Sequence, residues 1–266
     1  MIDIDGFKKY LYEEELSSNT INVYIQGITQ YAQKYDGISK MNLIDFKKSL
    51  AERMKPQTVN LRITAVLKYC KYKGISMSCK HIKEQRKTAI DNVISPEQFQ
   101  RLITGLKLDG NKRWYYHILL LGKTGMRISE ALRVTKKDIL AGKVTMPTKA
   151  HLRTIYFPKS LKDELMPYLE DFELNDIVMK NRKGEHLTSR GVSSALQRFG
   201  KKYGIPKEVM HPHSFRHFFA IEFLKRNNNI ALLADLLGHS SVNVTQIYLR
   251  QSQEQQQMAI DETVNW

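Results

Sequence analysis

The chain has 266 residues, of which 42% are hydrophobic and 26% are charged. This composition can form a buried core, and it excludes a fully disordered or collagen-like chain. Lys and Arg number 42 against 27 Asp and Glu, so the formal net charge is +15, and residues 1–90 and the remainder are both basic. Basic charge spread over a whole chain is typical of proteins that bind nucleic acid.

Membrane-spanning, secreted and disulfide-stabilised classes are disfavoured. The longest apolar run, around residues 115–122, is far shorter than a membrane span. The first residues, Met1 to Asp5, show neither the basic nor the apolar stretch of a secretory signal. The two cysteines, Cys70 and Cys79, are too few for a disulfide framework or a four-ligand zinc site. We therefore expect a cytoplasmic, soluble protein with no membrane partner.

Residues 1–77 carry the apolar spacing of four helices, with Lys and Arg on their outer faces. This pattern predicts a compact helical domain that contacts DNA. The first helix is expected to have its N-cap at Asp5, and the second to have its N-cap at Ser17-Ser18 and to end at Asp36-Gly37. The third helix is expected from Asn42 to Arg53, and the fourth from Pro56 to just before Gly74.

A polar and basic stretch over residues 78–92 lacks periodicity and is interpreted as a linker. Ser95-Pro96 then supplies an N-cap and a first helical position, so a second domain is expected over residues 93–250. Two β-rich runs, Lys143–Pro147 and Arg153–Pro158, flank a polar turn and predict a hairpin. The expected fold class is mainly α: a helical bundle followed by a mostly helical domain with a small β-hairpin.

Five motifs follow one another in the second half. They are Thr124-Gly125-Met126-Arg127-Ile128-Ser129-Glu130, then Lys149 in the hairpin turn, His213-Ser214-Phe215-Arg216-His217, Gly238-His239-Ser240-Ser241, and Tyr248. Each is weak alone, because an Arg, a His or a Glu at these positions also occurs as a helix cap, an ion-pair partner or a packing residue. Their order and spacing are specific.

These residue types suit the transfer of a phosphodiester. A tyrosine oxygen can attack the phosphorus and store the bond energy as a phosphotyrosine. Two guanidinium groups match the non-bridging oxygens, where charge accumulates in the transition state. A Lys or a His can protonate the 5′ oxygen as it leaves. Permanent cations can replace a metal in this chemistry, so no metal and no cofactor are expected.

The motif set resembles the tyrosine recombinase (phage integrase) family, and within it the Xer-type and integrative-element recombinases. The family's hairpin turn is Gly-Lys-Gly-like, whereas this chain reads Pro147-Thr148-Lys149-Ala150-His151, in which Lys149 is the one Lys between the strands. The resemblance implies two groups of site residues. They are the catalytic Arg127, Lys149, His213, Arg216, His239 and Tyr248, and the supporting Glu130 and His217.

The resemblance implies a site-specific DNA recombinase that works through a covalent 3′-phosphotyrosyl intermediate, in integration, excision or resolution. Such enzymes close around double-stranded DNA as two-domain clamps and act as homo-tetramers in the synapse, with accessory DNA-bending or directionality proteins as further partners. Residues 251–266 lack Lys and Arg and are apolar on one side, which predicts either a packed end or a contact with a neighbouring protomer. A type IB topoisomerase-like enzyme and a non-catalytic DNA-binding regulator remain as alternatives.

Overall fold

The computed structural model divides into two units, Met1–Arg86 and Lys87–Trp266. The residues it describes are 2–84, 92–147, 152–239, 241–249 and 260–264. Both units are built mainly from helices, and the second contains a two-stranded antiparallel sheet, so the expected fold class is confirmed. Within the described ranges, no helix is both long and apolar enough to cross a membrane.

Residues 2–84 of the first unit form four helices: α1 (Ile4–Glu13), α2 (Ser18–Ala32), α3 (Lys40–Ala51) and α4 (Pro56–Tyr72). Ser17 caps α2 and Pro56 opens α4, both as predicted. The prediction of Asp5 as the first cap was wrong, because the Asp3 carboxylate accepts the backbone N–H of Gly6 at 2.8 Å. Asp5 lies inside the first turn, where an acidic side chain is favourable for a different reason, the helix dipole.

Two further boundaries differ from the prediction. α2 ends at Ala32 rather than near Asp36, and the chain then folds back so that the Tyr31 hydroxyl donates to the carbonyl of Gly37 at 3.2 Å. α3 begins before Asn42, because the Ser39 hydroxyl accepts the backbone N–H of that residue at 3.0 Å. Both differences come from local hydrogen bonds that the apolar spacing does not encode.

The core of the first unit is apolar and aromatic. Phe7 and Tyr69 pack edge to face, with ring centroids 5.2 Å apart. Residues 78–84 belong to this unit, where the Asn60 side chain accepts the backbone N–H of Ile82 (2.8 Å) and donates to its carbonyl (3.0 Å). The buried residues of this core include Phe7, Leu11, Ile21, Ile28, Leu43, Phe46, Leu50, Ile63, Val66 and Tyr69.

The second unit begins with a helix whose cap was predicted. Ser95 and Gln98 form a reciprocal capping box, and Pro96 takes the first helical position. The elements that follow are α5 (Pro96–Leu108), α6 (Lys112–Thr124), α7 (Ile128–Ala131), α8 (Lys136–Ala141), β1 (Lys143–Pro147), β2 (Leu152–Tyr156), α9 (Lys159–Leu169), α10 (Ser189–Tyr203), α11 (Pro212–Arg226), α12 (Ile230–Leu237) and α13 (Val242–Thr245). Single 3₁₀ turns cover Lys207–Val209 and Gln246–Leu249.

The hairpin pairs Met146 with Arg153 and Val144 with Ile155. β1 has the predicted bounds, whereas β2 ends at Tyr156 and not at Pro158. Pro158 has no N–H to continue a ladder and instead precedes α9 as its N-cap. The inward face of the hairpin joins an apolar core that is centred on α6, where four consecutive residues, Ile118 to Leu121, are buried.

Candidate active site

Two helix ends form the backbone frame of the site. α6 ends at Gly125 and α12 at Gly238, and both glycines have a φ of 61°. A Cβ at Gly125 would lie 2.3 Å from the Phe219 ring, and one at Gly238 would lie 2.5 Å from Cδ of Arg153. Only glycine satisfies both the left-handed backbone and the close packing. The last carbonyls of both helices remain available as acceptors with partial negative charge.

Arg216 and Arg127, both predicted from the motifs, donate to these carbonyls. Arg216, from α11, bonds the carbonyl of Gly125 through Nη1 (2.8 Å) and that of Leu237 through Nη2 (2.6 Å). Arg127 bonds the next carbonyl, that of Gly238, through Nη2 at 3.2 Å. The structure therefore brings the two arginines to neighbouring carbonyls, although 111 residues separate Arg127 from Gly238 in sequence.

Arg153, which the sequence analysis assigned only to a strand, is a third arginine at the same helix end. It donates to the carbonyl of Leu236 through Nε (2.8 Å) and Nη2 (2.6 Å), and its side chain is 0% exposed. A signal for it existed in the sequence. Strand residues alternate between faces, and Arg153 shares its face with the buried Ile155.

Glu130 joins two of these arginines. Its carboxylate accepts the Arg127 backbone N–H (2.6 Å) and Nη1 (3.0 Å), and it forms an ion pair with Nη1 of Arg153. Burial would raise the pKa of Glu130, but the charge of Arg153 and the hydrogen bonds of Arg127 hold that pKa below its ordinary value. Glu130 is therefore an ionised, buried bridge and more than a helix-surface partner.

Tyr248 and His217 lie together at this site, near Arg216 and Arg127. The Tyr248 hydroxyl is 2.8 Å from Nδ1 of His217. The Tyr248 ring packs against an apolar cluster of α11 and α12 that includes Leu224 and Leu233. Burial raises the pKa of Tyr248, and the charges of Arg216 and Arg127 oppose that rise. The phenol is thus protonated near neutral pH and has a histidine nitrogen within proton-transfer distance.

His239 also faces this tyrosine. The two rings are 6.4 Å apart and nearly parallel, and His239 Nδ1 lies 2.7 Å from Oγ1 of Thr245. Burial first, and then the charges of Arg216 and Arg127, lower the pKa of His239 to about 4. The ring is therefore neutral under ordinary conditions. Thr245, which is 0% exposed, is a second residue at this site that the motifs did not indicate.

Of the two remaining predicted residues, one lies in the described chain. His213 is in the first turn of α11, and its ring centroid is 6.4 Å from that of His217. Desolvation first, and then the charge of Arg216, lower the pKa of His213. Lys149 lies outside the described residues, so its predicted place in the hairpin turn stays a prediction.

Among the residues of this site that the structure describes, the charges do not balance. Arg127, Arg153 and Arg216 bring three positive charges, and the Glu130 carboxylate supplies one negative charge. Such an excess of positive charge with low exposure favours an anionic ligand. In the described ranges, no group of three or more His, Cys, Asp or Glu is arranged to hold a metal ion.

The match to a known protein family covers most of the second unit. A profile of the phage integrase family matches residues 92–255. The chain belongs to the phage integrase family. It is 28% identical to the tyrosine recombinase XerA of Thermococcus kodakarensis, over 93% of this chain and 90% of the relative. It is 37% identical to the tyrosine recombinase XerC of Leptospira interrogans, over 52% of this chain and 46% of the relative.

Among solved structures, the Tn1549 transposon integrase in complex with transposon right end DNA has a TM-score of 0.76. That likeness covers 99% of this chain and 100% of the integrase at 15% sequence identity, so it shows a shared fold. As a phage integrase family member with tyrosine recombinase relatives, the chain is a tyrosine-type site-specific recombinase. The topoisomerase and the non-catalytic regulator are not favoured.

Proposed function

We propose that this recombinase cleaves and rejoins double-stranded DNA through Tyr248, with a covalent 3′-phosphotyrosyl intermediate. The observation that carries the proposal is the placement of the Tyr248 hydroxyl. It is hydrogen-bonded to His217, and it lies within the electrostatic influence of Arg216 and Arg127. A phenol in such a position has a proton acceptor on one side and a phosphate-binding group on the other.

The proposed step forms one P–O bond and breaks one. The Tyr248 oxygen attacks the scissile phosphorus, its proton passes to His217, and the 5′ oxygen of the next nucleotide leaves. Lys149, as the family resemblance implies, protonates that leaving oxygen. Because the phosphodiester energy is kept in the new bond, the reverse attack by a 5′ hydroxyl rejoins the strand.

The other site residues hold the phosphate. We assign the guanidinium groups of Arg127 and Arg216 to the non-bridging oxygens, together with His213 and His239. Glu130 supports Arg127, since it fixes both the backbone and the side chain of that residue. The step uses permanent cations of the chain and needs neither a metal nor a cofactor.

The rest of the chain fits a DNA clamp that works as an assembly. We propose that the bundle of residues 1–77 is the core-binding domain, that residues 78–92 link it to the catalytic domain of residues 93–250, and that four protomers form the synapse in the cytoplasm. Residues 251–266 would contact a neighbouring protomer, with accessory DNA-bending or directionality proteins as further partners. Exposed apolar side chains beside Tyr248 and in this tail fit such a contact, namely Val242, Val244, Leu249, Ile260 and Val264.

The proposal is tested by covalent capture, which does not require the target site to be known. The full-length protein is incubated with a library of nicked DNA duplexes whose inner positions are randomised, in the presence of EDTA. Protein–DNA adducts that survive SDS are isolated, and their DNA is sequenced. The matched control is Tyr248→Phe, which removes one oxygen.

The wild-type protein should yield adducts enriched in one sequence, and Tyr248→Phe should bind the same duplexes without forming them. Adducts from the Phe variant would exclude Tyr248 as the nucleophile. Free cleaved ends that appear only with Mg²⁺ and without an adduct would indicate a hydrolytic nuclease instead.

A further inference from the structure

Thr245 lies between the histidine and the tyrosine of the site in sequence, and its side chain contacts the histidine. It is the last residue of α13, and the adjoining 3₁₀ turn carries Tyr248. Its side chain is fully buried, and its Oγ1 is 2.7 Å from Nδ1 of His239. One short segment therefore carries both the proposed nucleophile and the partner of His239.

The direction of the hydrogen bond between this buried hydroxyl and His239 depends on which ring nitrogen carries the proton. A hydroxyl removed from water must donate to an acceptor, because leaving a buried donor unpaired is costly. In the described chain, the hydrogen-bond partner of Oγ1 of Thr245 is Nδ1 of His239. With the hydroxyl as the donor, Nδ1 of His239 is the acceptor and carries no proton.

The surrounding charges keep the ring neutral. His239 is partly buried, and Arg216, Arg127, Arg153 and His217 all oppose its protonation. A neutral imidazole carries one proton, and with Nδ1 acting as an acceptor this proton is on Nε2. The His239 ring can then donate a hydrogen bond from Nε2 although it carries no positive charge.

We propose that Thr245 is a positioning residue, which fixes His239 as the Nε2–H tautomer so that the ring donates a hydrogen bond to the scissile phosphate. This inference rests on the proposed function of the site. A donor held in place by the protein needs no reorganisation as charge develops on the phosphate oxygen. Without the hydroxyl, the Nδ1–H tautomer competes with the Nε2–H tautomer. In the Nδ1–H tautomer, Nε2 is unprotonated and directs a lone pair toward the phosphate oxygen.

The test reads the tautomer and the reaction separately. The tautomer is obtained from ¹⁵N NMR of the full-length protein labelled at histidine, with the His239 signals assigned by comparison with His239→Gln. Covalent-complex formation is timed on a nicked duplex obtained by the capture experiment. Both measurements use the wild type, Thr245→Val, which keeps the shape and loses the hydroxyl, and Thr245→Ser, which restores the hydroxyl.

The wild type should show an unprotonated Nδ1 and a protonated Nε2. Thr245→Val should give a mixture of tautomers and slow covalent-complex formation about tenfold, the loss of roughly one hydrogen bond. Thr245→Ser should recover both properties. If Thr245→Val does not fold, the inference is tested by the His239 tautomer and the rate of covalent-complex formation in the wild type and in Thr245→Ser.

A protonated Nδ1 in the wild type would overturn the inference. So would an unchanged tautomer in Thr245→Val, even if the reaction slowed, because the residue would then act only by packing. A wild type that forms no covalent complex would reject the proposed function, whereas the NMR result would still show whether Thr245 sets the tautomer.

Discussion

The two units differ in how they treat charge. The first unit encloses an apolar and aromatic core, and among its described residues the buried charged side chain is Arg62, 8% exposed and bonded at 3.3 Å to the carbonyl of Val23. The second unit buries Glu130, Arg153 and Arg216 together at two helix ends. An apolar and aromatic core is an arrangement that stability alone favours, whereas a buried cluster of charged side chains is not.

Buried ion pairs are weak contributors to stability, because desolvation of both charges offsets most of their attraction. Replacing such a group with apolar residues often stabilises a protein. The cluster around Arg153 is therefore best explained by the geometry that it gives to Arg127, Arg216 and His239.

Arg153→Met should destabilise the second unit by about 3–5 kcal/mol, because Glu130 loses its buried partner and the carbonyl of Leu236 loses two donors. Covalent-complex formation should fall at least about a hundredfold, since misplaced catalytic groups lose that much. Hydrogen-exchange mass spectrometry measures the free energy of opening in each unit, and the capture duplex measures the reaction.

The matched control is Arg62→Met in the first unit. Its Nε is buried without a partner in the described chain, so its removal should change the stability of that unit by no more than about 1 kcal/mol. Equal losses for the two variants would contradict the contrast between the units.

Glu130→Gln should cost the second unit about 2–3 kcal/mol at pH 7, because the buried charge of Arg153 loses its counter-ion. The folded pKa of Glu130 lies below its unfolded value, so its contribution is fully present above about pH 4.3 and is lost as the pH falls through the folded pKa. Urea titrations followed by the buried Trp114 should show the difference between wild type and variant shrinking with acidification. A difference that stayed constant to low pH would mean that the Glu130 charge is not responsible.

The smallest effect is expected for a surface pair of the first unit, Lys34 and Asp45, whose side chains are 48% and 57% exposed. Exposed pairs of this kind contribute little, because water screens them and both side chains lose rotamer freedom. Lys34→Gln should leave the exchange rates of α2 and α3 unchanged. A clear loss of protection would show that surface charge also matters in this unit.

Much of the fold could be predicted from the sequence because it depends on local signals. The caps at Ser17 and Ser95, the start at Pro56 and the bounds of β1 are set by residues within one turn or one strand. The helix ends that the prediction missed depend on which of several neighbouring polar groups forms the local hydrogen bond. The residues Arg127 and Arg216 were predicted from the motifs and from the family resemblance that these motifs carry, and the structure places the two side chains together.

Arg153 and Thr245 could not be recognised in the same way, because their importance depends on partners far along the chain or on complete burial. An arginine in an alternating strand is usually exposed, and a threonine in a short helix is usually a minor packing residue. Only the end of α12, which lies 83 residues beyond Arg153, shows why that side chain is buried.

The most direct test of the account is to locate the DNA attachment in the protein. The covalent complex from the capture duplex is digested with nuclease and trypsin, and the modified peptide is fragmented by mass spectrometry. Cleavage after Arg226 and Arg250 gives a peptide of residues 227–250 in which Tyr248 is the single tyrosine. The account predicts a nucleotide phosphate on the Tyr248 oxygen. A modification on any other residue, or no attachment under conditions that yield recombined DNA, would contradict it.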